Sequence, residues 1–272
     1  MKLFRALAWG CGVQSTTLAV MSAEGELPPL DVVMTADTGW ERARTYWIRD
    51  FYTEWLRTRG VRVEVVKHGN VRELGGKRHM HMPLWTERTE DFSGGPLSRE
   101  CSRYFKVRPA RRALRKLLGF DPSKPPAPPA GAIEQWIGFS IDEWERMKDS
   151  PVQYIKSRFP LIEKRLSRND CLDYLESKGL PIPIKSACVG CPYRLPSEWL
   201  KMQQEAPTEF ADAVAFDESI RELDLDGLEA TRLYVYKHRV PLAEANFEAD
   251  ARRERAGKQL PLMICGGDFC LV

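Results

Sequence analysis

At 272 residues the chain is long enough to bury a sizeable core, as one large α/β domain or as one domain with a smaller one appended. Its 41 Lys and Arg against 38 Asp and Glu leave a formal charge of +3, too near neutral to mark a general nucleic-acid binder, so any basic surface must be local. No apolar run approaches the roughly 20 residues of a bilayer span and the start shows no export pattern, so a soluble, cytoplasmic protein is the expectation.

Residues 3–9 form an apolar run that predicts a buried strand, and a turn over 10–14 leads into a helix from about 15 to 24. Residues 32–36 read as a second strand, ended by Asp37, Thr38 and Gly39. Over 41–59 the residues Tyr46, Trp47, Phe51, Trp55 and Leu56 recur at helical spacing, and 61–69 then alternate as a strand. This β-α-β-α-β order predicts a parallel sheet with helices on both faces. Residues 69–100, polar and rich in Gly, His and Arg, predict a loop that is ordered or responsive to substrate. The stretch 101–118 reads as helical in its later part, with Arg108, Arg111, Arg112, Arg115 and Lys116 on it.

"DPSKPPAPPAG" follows, and its prolines make it a surface linker. "IEQWIGFS" predicts another strand, with "IDEWERMKDS" leaving its C-terminal end. "SRNDCLDYLESKG" predicts a helix with Ser167 as cap and Gly179 as stop. After "SACVGCPYR" come a helix near 196–205 and a mostly helical remainder that includes "MICGGDFCLV". The division expected is a nucleotide-binding domain over 1–160 and a helical region over 161–272 that carries a cysteine site.

The turn in "WGCGVQSTTL" sits where ligands usually bind in a parallel α/β sheet. Gly10 and Gly12 let the backbone curl around a phosphate, the first amides of the helix attract anions, and Ser15, Thr16 and Thr17 add hydroxyls. The turn lacks the Gly-Lys-Ser/Thr ending of a P-loop and does not fit G-x-G-x-x-G, so its composition alone fits a plain tight turn equally well. Cys11 reads as a small residue packed beneath it. Lys106, Arg108 and Arg146 are candidates to face phosphates, or else lie on solvated helix faces. Asp37 suits a metal or a ribose, or an N-cap for the helix that follows; Asp142 and Glu143 suit catalysis, or a cap.

Four ordered motifs carry a family resemblance. "WGCGVQSTTL" resembles the pyrophosphate-binding loop of the N-type ATP pyrophosphatases, the PP-loop superfamily, and is similar to the Gly-x-Gly-Val-Gln-Ser variant of the phosphoadenylyl-sulfate reductase-like branch. "TADTGWE" resembles that branch's DTGxE, "CSRYFKVRP" its Cys-Thr-x-x-x-Lys-x-x-Pro, and "IGFSIDEWERM" its Gly-x-x-x-Asp-Glu-x-x-Arg, while "PLIEKRLSRNDCLDYL" is similar to the lead into the C-terminal region. The likeness covers residues 3 to about 195. It implies an adenine nucleotide alpha hydrolase-like fold, ATP with Mg²⁺, and adenylation chemistry. It implies nucleotide binding by Gly10, Gly12, Val13, Gln14, Ser15, Thr16, Ala36 and Gly138, with Asp37, Lys106, Asp142, Glu143 and Arg146 as catalytic residues. The usual loop Asp is Gln14 here and Cys11 breaks the Gly-Gly pair, but backbone cradling of a phosphate needs neither side chain.

Seven cysteines in a chain without an export signal read as thiols, metal ligands or catalytic groups. Cys188 and Cys191 form C-x-x-C, which suits a shared metal or cluster and also a redox dithiol. Four thiolates drawn from Cys101, Cys188, Cys191, Cys265 and Cys270 would complete a 4Fe-4S cluster, and a Cys₄ zinc site has the same count. Resemblance to sulfur-inserting relatives, including DNA phosphorothioation and thiolation enzymes, implies that Cys101, Cys188, Cys191 and a later cysteine hold an iron–sulfur cluster. Cys265 is the expected fourth ligand rather than Cys270, which is more costly to order and would suit a mobile persulfide carrier. The branch's Cys-Glu-Gly-Met-Cys-Gly ending differs from "CGGDFCLV" by one residue of spacing. Cys171 reads as core.

The function expected is ATP-dependent adenylation coupled to sulfur transfer onto an acceptor. A nucleic acid is the candidate acceptor because residues 99–124 are rich in basic side chains. A cysteine desulfurase or another sulfur donor, and a second copy of the chain, are candidate partners. Two alternatives stand beside it: reduction of phosphoadenylyl or adenylyl sulfate with release of sulfite, using a later cysteine as nucleophile, and a zinc-stabilised nucleotide- or nucleic-acid-binding module.

Overall fold

A computed structural model describes residues 3–74, 82–88, 90–91, 93–223 and 231–255. Cys265 and Cys270 lie outside the described residues. The elements in order are β1 (Phe4–Ala8), α1 (Val13–Ala23), β2 (Val32–Asp37), α2 (Ala43–Arg57), β3 (Val63–Lys67), α3 (Val71–Leu74) and β4 (Trp85–Arg88). Next, α4 (Glu100–Ser102) runs through a π-helical stretch (Arg103–Val107) into α5 (Arg108–Leu117), followed by β5 (Ile133–Ile137), a 3-10 segment (Ile141–Arg146), β6 (Ile155–Arg158) and α6 (Pro160–Glu163). The remainder comprises α7 (Arg168–Ser177), α8 (Pro196–Glu205), α9 (Pro207–Ser219), β7 (Thr231–Tyr234) and α10 (Phe247–Arg255).

Five strands form one parallel sheet in the order β3-β2-β1-β5-β6. Successive residues point to opposite faces, so each central strand feeds two cores. Leu7, Val33 and Trp136 pack under α1, α2 and α7 through Leu18, Ile48, Tyr52, Leu56, Cys171 and Leu175. Ala6, Val32, Met34 and Ile133 pack on the other face under Ala110 and Leu114 of α5. The fold is therefore the expected α/β sheet with helices on both faces. The first core draws on residues from both sides of position 160.

A third core joins α8, α9 and α10 to the two-stranded antiparallel pair β4–β7, and Trp40 and Phe105 reach into it from the sheet region. Sequence reading missed β6, β4 and β7. Only Ile155 of β6 is buried, and β6 lies at the sheet edge, so its apolar signal is weak. The four-residue strands β4 and β7 are set by each other across a long stretch of chain. The expected loop over 69–100 holds α3 and β4, and the helix expected only late in 101–118 begins at Glu100. Ser167 caps α7 as expected: its hydroxyl accepts from the Asp170 amide at 3.2 Å, and Asp170 Oδ2 accepts from the Ser167 amide at 2.7 Å. Among the described residues no helix is long and apolar enough to cross a membrane.

Candidate functional site

The chain steps outward from β1 to β2 and β3, then returns to the far side of β1 as β5. Winding thus reverses beside β1, and in such sheets the crevice beyond the strand ends at that point receives ligands. The turn after β1 and the exit of β5 both open there. Gly12 is the extended N-cap of α1, and no side chain caps the helix, so its first amides are left for a ligand or water. A Cβ on Gly12 would meet nothing, whereas one on Gly138 would stand 2.7 Å from the Ser15 amide nitrogen and 2.8 Å from its Cα. Gly138 therefore lets β5 and the start of α1 touch.

Cys11 occupies the left-handed region at φ 55 and is buried, with Sγ 3.5 Å from the Thr35 hydroxyl. Burial pushes its thiol pKa up to about 12, so it is a neutral packing residue. Ser15 keeps its hydroxyl at the loop, 3.3 Å from the Gly12 carbonyl. Thr16 turns inward: its hydroxyl accepts from Trp9 Nε1 at 3.0 Å and its amide donates to the Gly12 carbonyl at 3.0 Å. Thr17 donates to the carbonyl of Val13 at 3.0 Å, and Val13 is itself buried.

Gln14 reaches across to the segment after β5, where its Nε2 donates to Glu143 Oε2 at 2.6 Å and its Oε1 accepts from Arg168 Nη1 at 2.9 Å. Arg146 bonds Glu143 and lies over the Phe139 ring at 4.5 Å. Asp142 accepts from the Arg168 amide at 2.6 Å and from the Ser140 hydroxyl at 3.1 Å, so it caps α7. Sequence reading had not singled out Arg168, which ties this rim together.

The opposite wall comes from β2, the start of α2 and the π-helical stretch. Ala36, Asp37, Glu41, Thr45 and Lys106 line the cleft with Gly10, Cys11 and Ser186. Asp37 is fully engaged, accepting from the Gly39 amide at 2.8 Å and Tyr46 Oη at 3.0 Å, and pairing with Arg49 at 3.3 Å. Arg108, by contrast, stacks on Tyr104 at 4.4 Å. Glu41 is buried; its Oε1 accepts from Thr38 Oγ1 at 3.0 Å and lies 3.7 Å from Lys106 Nζ, while its Oε2 meets no partner. Burial pulls the Lys106 pKa down, but Glu41 and Cys188 outweigh it and hold the ammonium charged above its ordinary value.

The cysteines begin at this wall. Glu41 and Cys188 form an antiparallel backbone bridge, Val189 donates to the Trp40 carbonyl at 2.8 Å, and the Thr38 hydroxyl sits 3.2 Å from Cys188 Sγ. A Cβ on Gly190 would stand 2.3 Å from the Trp40 ring, so position 190 of the C-x-x-C turn admits only glycine. Burial raises the Cys101 thiol to about 11, and the neighbouring Cys191 adds to the rise. Burial also lifts Cys188 well above the ordinary range, with Glu41 and Cys191 contributing. Cys101 and Cys188 pack against one core and Cys191 lies in the same turn as Cys188, while Cys171 is core, as expected.

Two solved structures resemble the chain. One is a phosphoadenylyl-sulfate reductase from Candida auris in a phosphate complex, with 14% identity and a TM-score of 0.41, covering 67% of this chain and 75% of that one. The other is the U34-tRNA thiolase NcsA from Methanococcus maripaludis with its 4Fe-4S cluster, with 14% identity and a TM-score of 0.43, covering 82% of this chain and 74% of that one. No protein-family model matches the chain, and no curated protein sequence does. At these values the likeness carries no function, which has to be argued from the chain's own side chains.

Among the described residues no group of three or more His, Cys, Asp or Glu side chains is arranged to hold a metal ion. Cys101 and Cys188 pack against the same core, and Cys191 closes the turn that Cys188 opens. Their chemistry nonetheless suits a thiophilic group, since thiolates bind iron–sulfur clusters and zinc. Beside them the buried Arg194 guanidinium donates from Nη2 to the Cys188 carbonyl at 2.9 Å.

Proposed function

We propose that the chain is an ATP-dependent sulfurtransferase-type enzyme that adenylates an oxygen of an acceptor and then replaces that oxygen with sulfur. The observation that carries this reading is the position of Lys106. It lines the cleft below the glycine turn and stands 3.7 Å from Glu41, the residue bridged to Cys188. One ammonium thereby serves both a phosphate-binding turn and a group of thiols.

In this reading the uncapped amides at the start of α1 and the Ser15 hydroxyl hold the outer phosphates. Lys106 offsets charge near the α-phosphorus. A lone pair on the acceptor oxygen attacks that phosphorus, its bond to the bridging oxygen breaks, and pyrophosphate leaves with the electron pair. A sulfur nucleophile then displaces AMP. Positioning and charge supply most of the catalysis. Arg146, held beside the turn through its pair with Glu143 and the Gln14–Glu143 bond, faces the leaving pyrophosphate, while Asp37 and Asp142 hold their loops in shape. Mg²⁺ arriving with ATP would add positive charge there. An iron–sulfur cluster or zinc on Cys101, Cys188, Cys191 and a later cysteine would supply a centre that binds sulfur.

The proposed acceptor is a nucleic acid, met by basic residues such as Arg112 and Lys116 exposed on α5. A cysteine desulfurase or another donor would deliver the sulfur. Anaerobic purification with iron, sulfide and zinc analysis tests the reading, with pyrophosphate release from ATP assayed beside sulfite release from adenylyl sulfates. Bound iron and sulfide, with pyrophosphate release raised by added nucleic acid, is the expected result. Sulfite release alone would replace this reading with the reductase, and stoichiometric zinc without turnover would leave only a binding module.

A further inference from the structure

Most polar side chains on the wall of the cleft between β2 and α2 are spent on one another. Asp37 takes the Gly39 amide, the Tyr46 hydroxyl and Arg49, and Tyr46 Oη in turn accepts from the Glu41 amide at 3.3 Å. Arg49 also pairs with Asp50 and lies over the Tyr46 ring at 4.8 Å, and Lys106 stands against Glu41 Oε1. Two buried atoms of this wall are left over: among the described residues, neither Glu41 Oε2 nor Thr45 Oγ1 has a hydrogen-bond partner. Both residues line the cleft, and they are only 9% and 4% exposed.

A carboxylate oxygen accepts hydrogen bonds, whereas a hydroxyl can accept or donate. The complement of the pair is therefore a ligand that brings at least one donor, and meeting a buried acceptor recovers free energy that the empty site forgoes. Position decides which part of a nucleotide arrives there. Lys106 stands 3.7 Å from Glu41 and faces the α-phosphorus in the adenylation reading, and the group joined to that phosphate is the ribose. Glu41 also lies just past β2, the second strand of a parallel sheet, and in dinucleotide-binding sheets an acidic side chain at the end of the second strand receives a ribose hydroxyl.

We propose that Glu41 and Thr45 form the ribose-recognition pair of this cleft: Glu41 Oε2 accepts from one hydroxyl of the diol, Thr45 Oγ1 meets the other, and the chain thereby selects nucleotides whose ribose keeps its hydroxyls. This rests on the reading that an adenine nucleotide binds here, and it assigns to Glu41 the sugar contact that Asp37, already engaged, cannot make. A structural role and a binding role differ in what they discriminate. If Glu41 only held Thr38 and Lys106 in place, its replacement would change the affinity for every adenine nucleotide alike, whereas an oxygen that meets the ribose tells nucleotides apart by their hydroxyls.

The test is equilibrium binding of ATP and of 2′,3′-dideoxy-ATP to the full chain and to two variants, Glu41→Gln, which removes the charge of the acceptor, and Thr45→Val, which removes a hydroxyl that has no protein partner. Wild type should bind ATP about 10- to 100-fold more tightly than the dideoxy analogue, the range for hydrogen bonds to a charged group. Each variant should shrink that ratio. Should Glu41→Gln fail to fold, the wild-type ratio and Thr45→Val decide the matter. Equal affinities in wild type, or a ratio that a folded variant leaves unchanged, overturn the proposal. Discrimination against inosine triphosphate in place of dideoxy-ATP overturns it too, by giving the Glu41 oxygen to the adenine amine. A wild type that binds neither ATP nor its dideoxy analogue overturns the underlying reading instead.

Discussion

Glu41 and Cys188 stand 147 positions apart in the chain and face each other as an isolated antiparallel bridge. The turn that leaves β2 is thereby built into the C-x-x-C turn. Thr38 touches Cys188 Sγ, Trp40 accepts from Val189, and Glu41 meets Lys106 in the cleft. A nucleotide against the end of the sheet and a group on the cysteines would share this one wall.

The junction depends on a residue with no side chain. In Gly190→Ala the new Cβ would lie 2.3 Å from the Trp40 ring, and Trp40 is fixed by its Nε1 bond to Asp212 at 2.5 Å and by Phe216 at 4.8 Å. Overpacking of this kind costs about 1–3 kcal/mol. Urea unfolding should show that loss, and Trp40→Phe in the same chain should recover part of it as a coupling of about 0.5–3 kcal/mol. Strict additivity of the two changes would disprove the contact.

Gly138 makes the equivalent contact on the nucleotide side. In Gly138→Ala the methyl collides with the Ser15 backbone, which has no flexible end to move away, so α1 must shift from β5. Displacing the first amides of α1 should weaken ATP binding about tenfold, equal to about 1.4 kcal/mol. Equilibrium binding of ATP measures this. An affinity equal to wild type would mean that these amides do not meet the phosphates.

The two halves of the site should also separate by single substitutions. Ser15→Ala removes one hydroxyl at the turn and should weaken nucleotide binding while leaving iron or zinc content intact; Cys188→Ala should do the reverse. Metal analysis and nucleotide titration on the same preparations decide it. Loss of both properties in both variants, with unfolded circular dichroism, would show that no such division exists.

The sheet was legible because its strands are apolar on two faces and a glycine follows β1, β2, β3 and β5 within two residues of their ends. The glycine turn, Lys106 and the Cys188–Cys191 pair were legible as motifs. Other parts depended on contacts that no local pattern carries. The Thr16 hydroxyl accepts from Trp9 Nε1, and Asp142 Oδ2 accepts from the Arg168 amide 26 positions on, and neither partner shows in a local pattern. Glu41 lay inside a quoted motif without a role because its partners, Lys106 and Cys188, come from distant segments. Arg194 is one arginine among many in the sequence. Its burial alone sets it apart.

Cys11 offers a pH test of the turn. Burial is the main reason its thiol is raised from 9.0 to about 12, opposed by the Thr35 hydroxyl and aided by Glu41. A raised folded-state value means that the fold favours the neutral thiol. The associated stability is complete below pH 9 and is lost as pH rises from 9 toward 12, at about 1.4 kcal/mol per pH unit. Other buried groups, Tyr46 among them, also weaken the fold in alkali, so the comparison must be with Cys11→Ala. Urea unfolding at pH 8 and pH 10.5 should show wild type losing about 2 kcal/mol more than the variant, the amount that follows from an unfolded thiol near 9. Parallel losses would mean that the thiol is not held neutral beneath the turn, and the packing assigned to Cys11 would have to be abandoned.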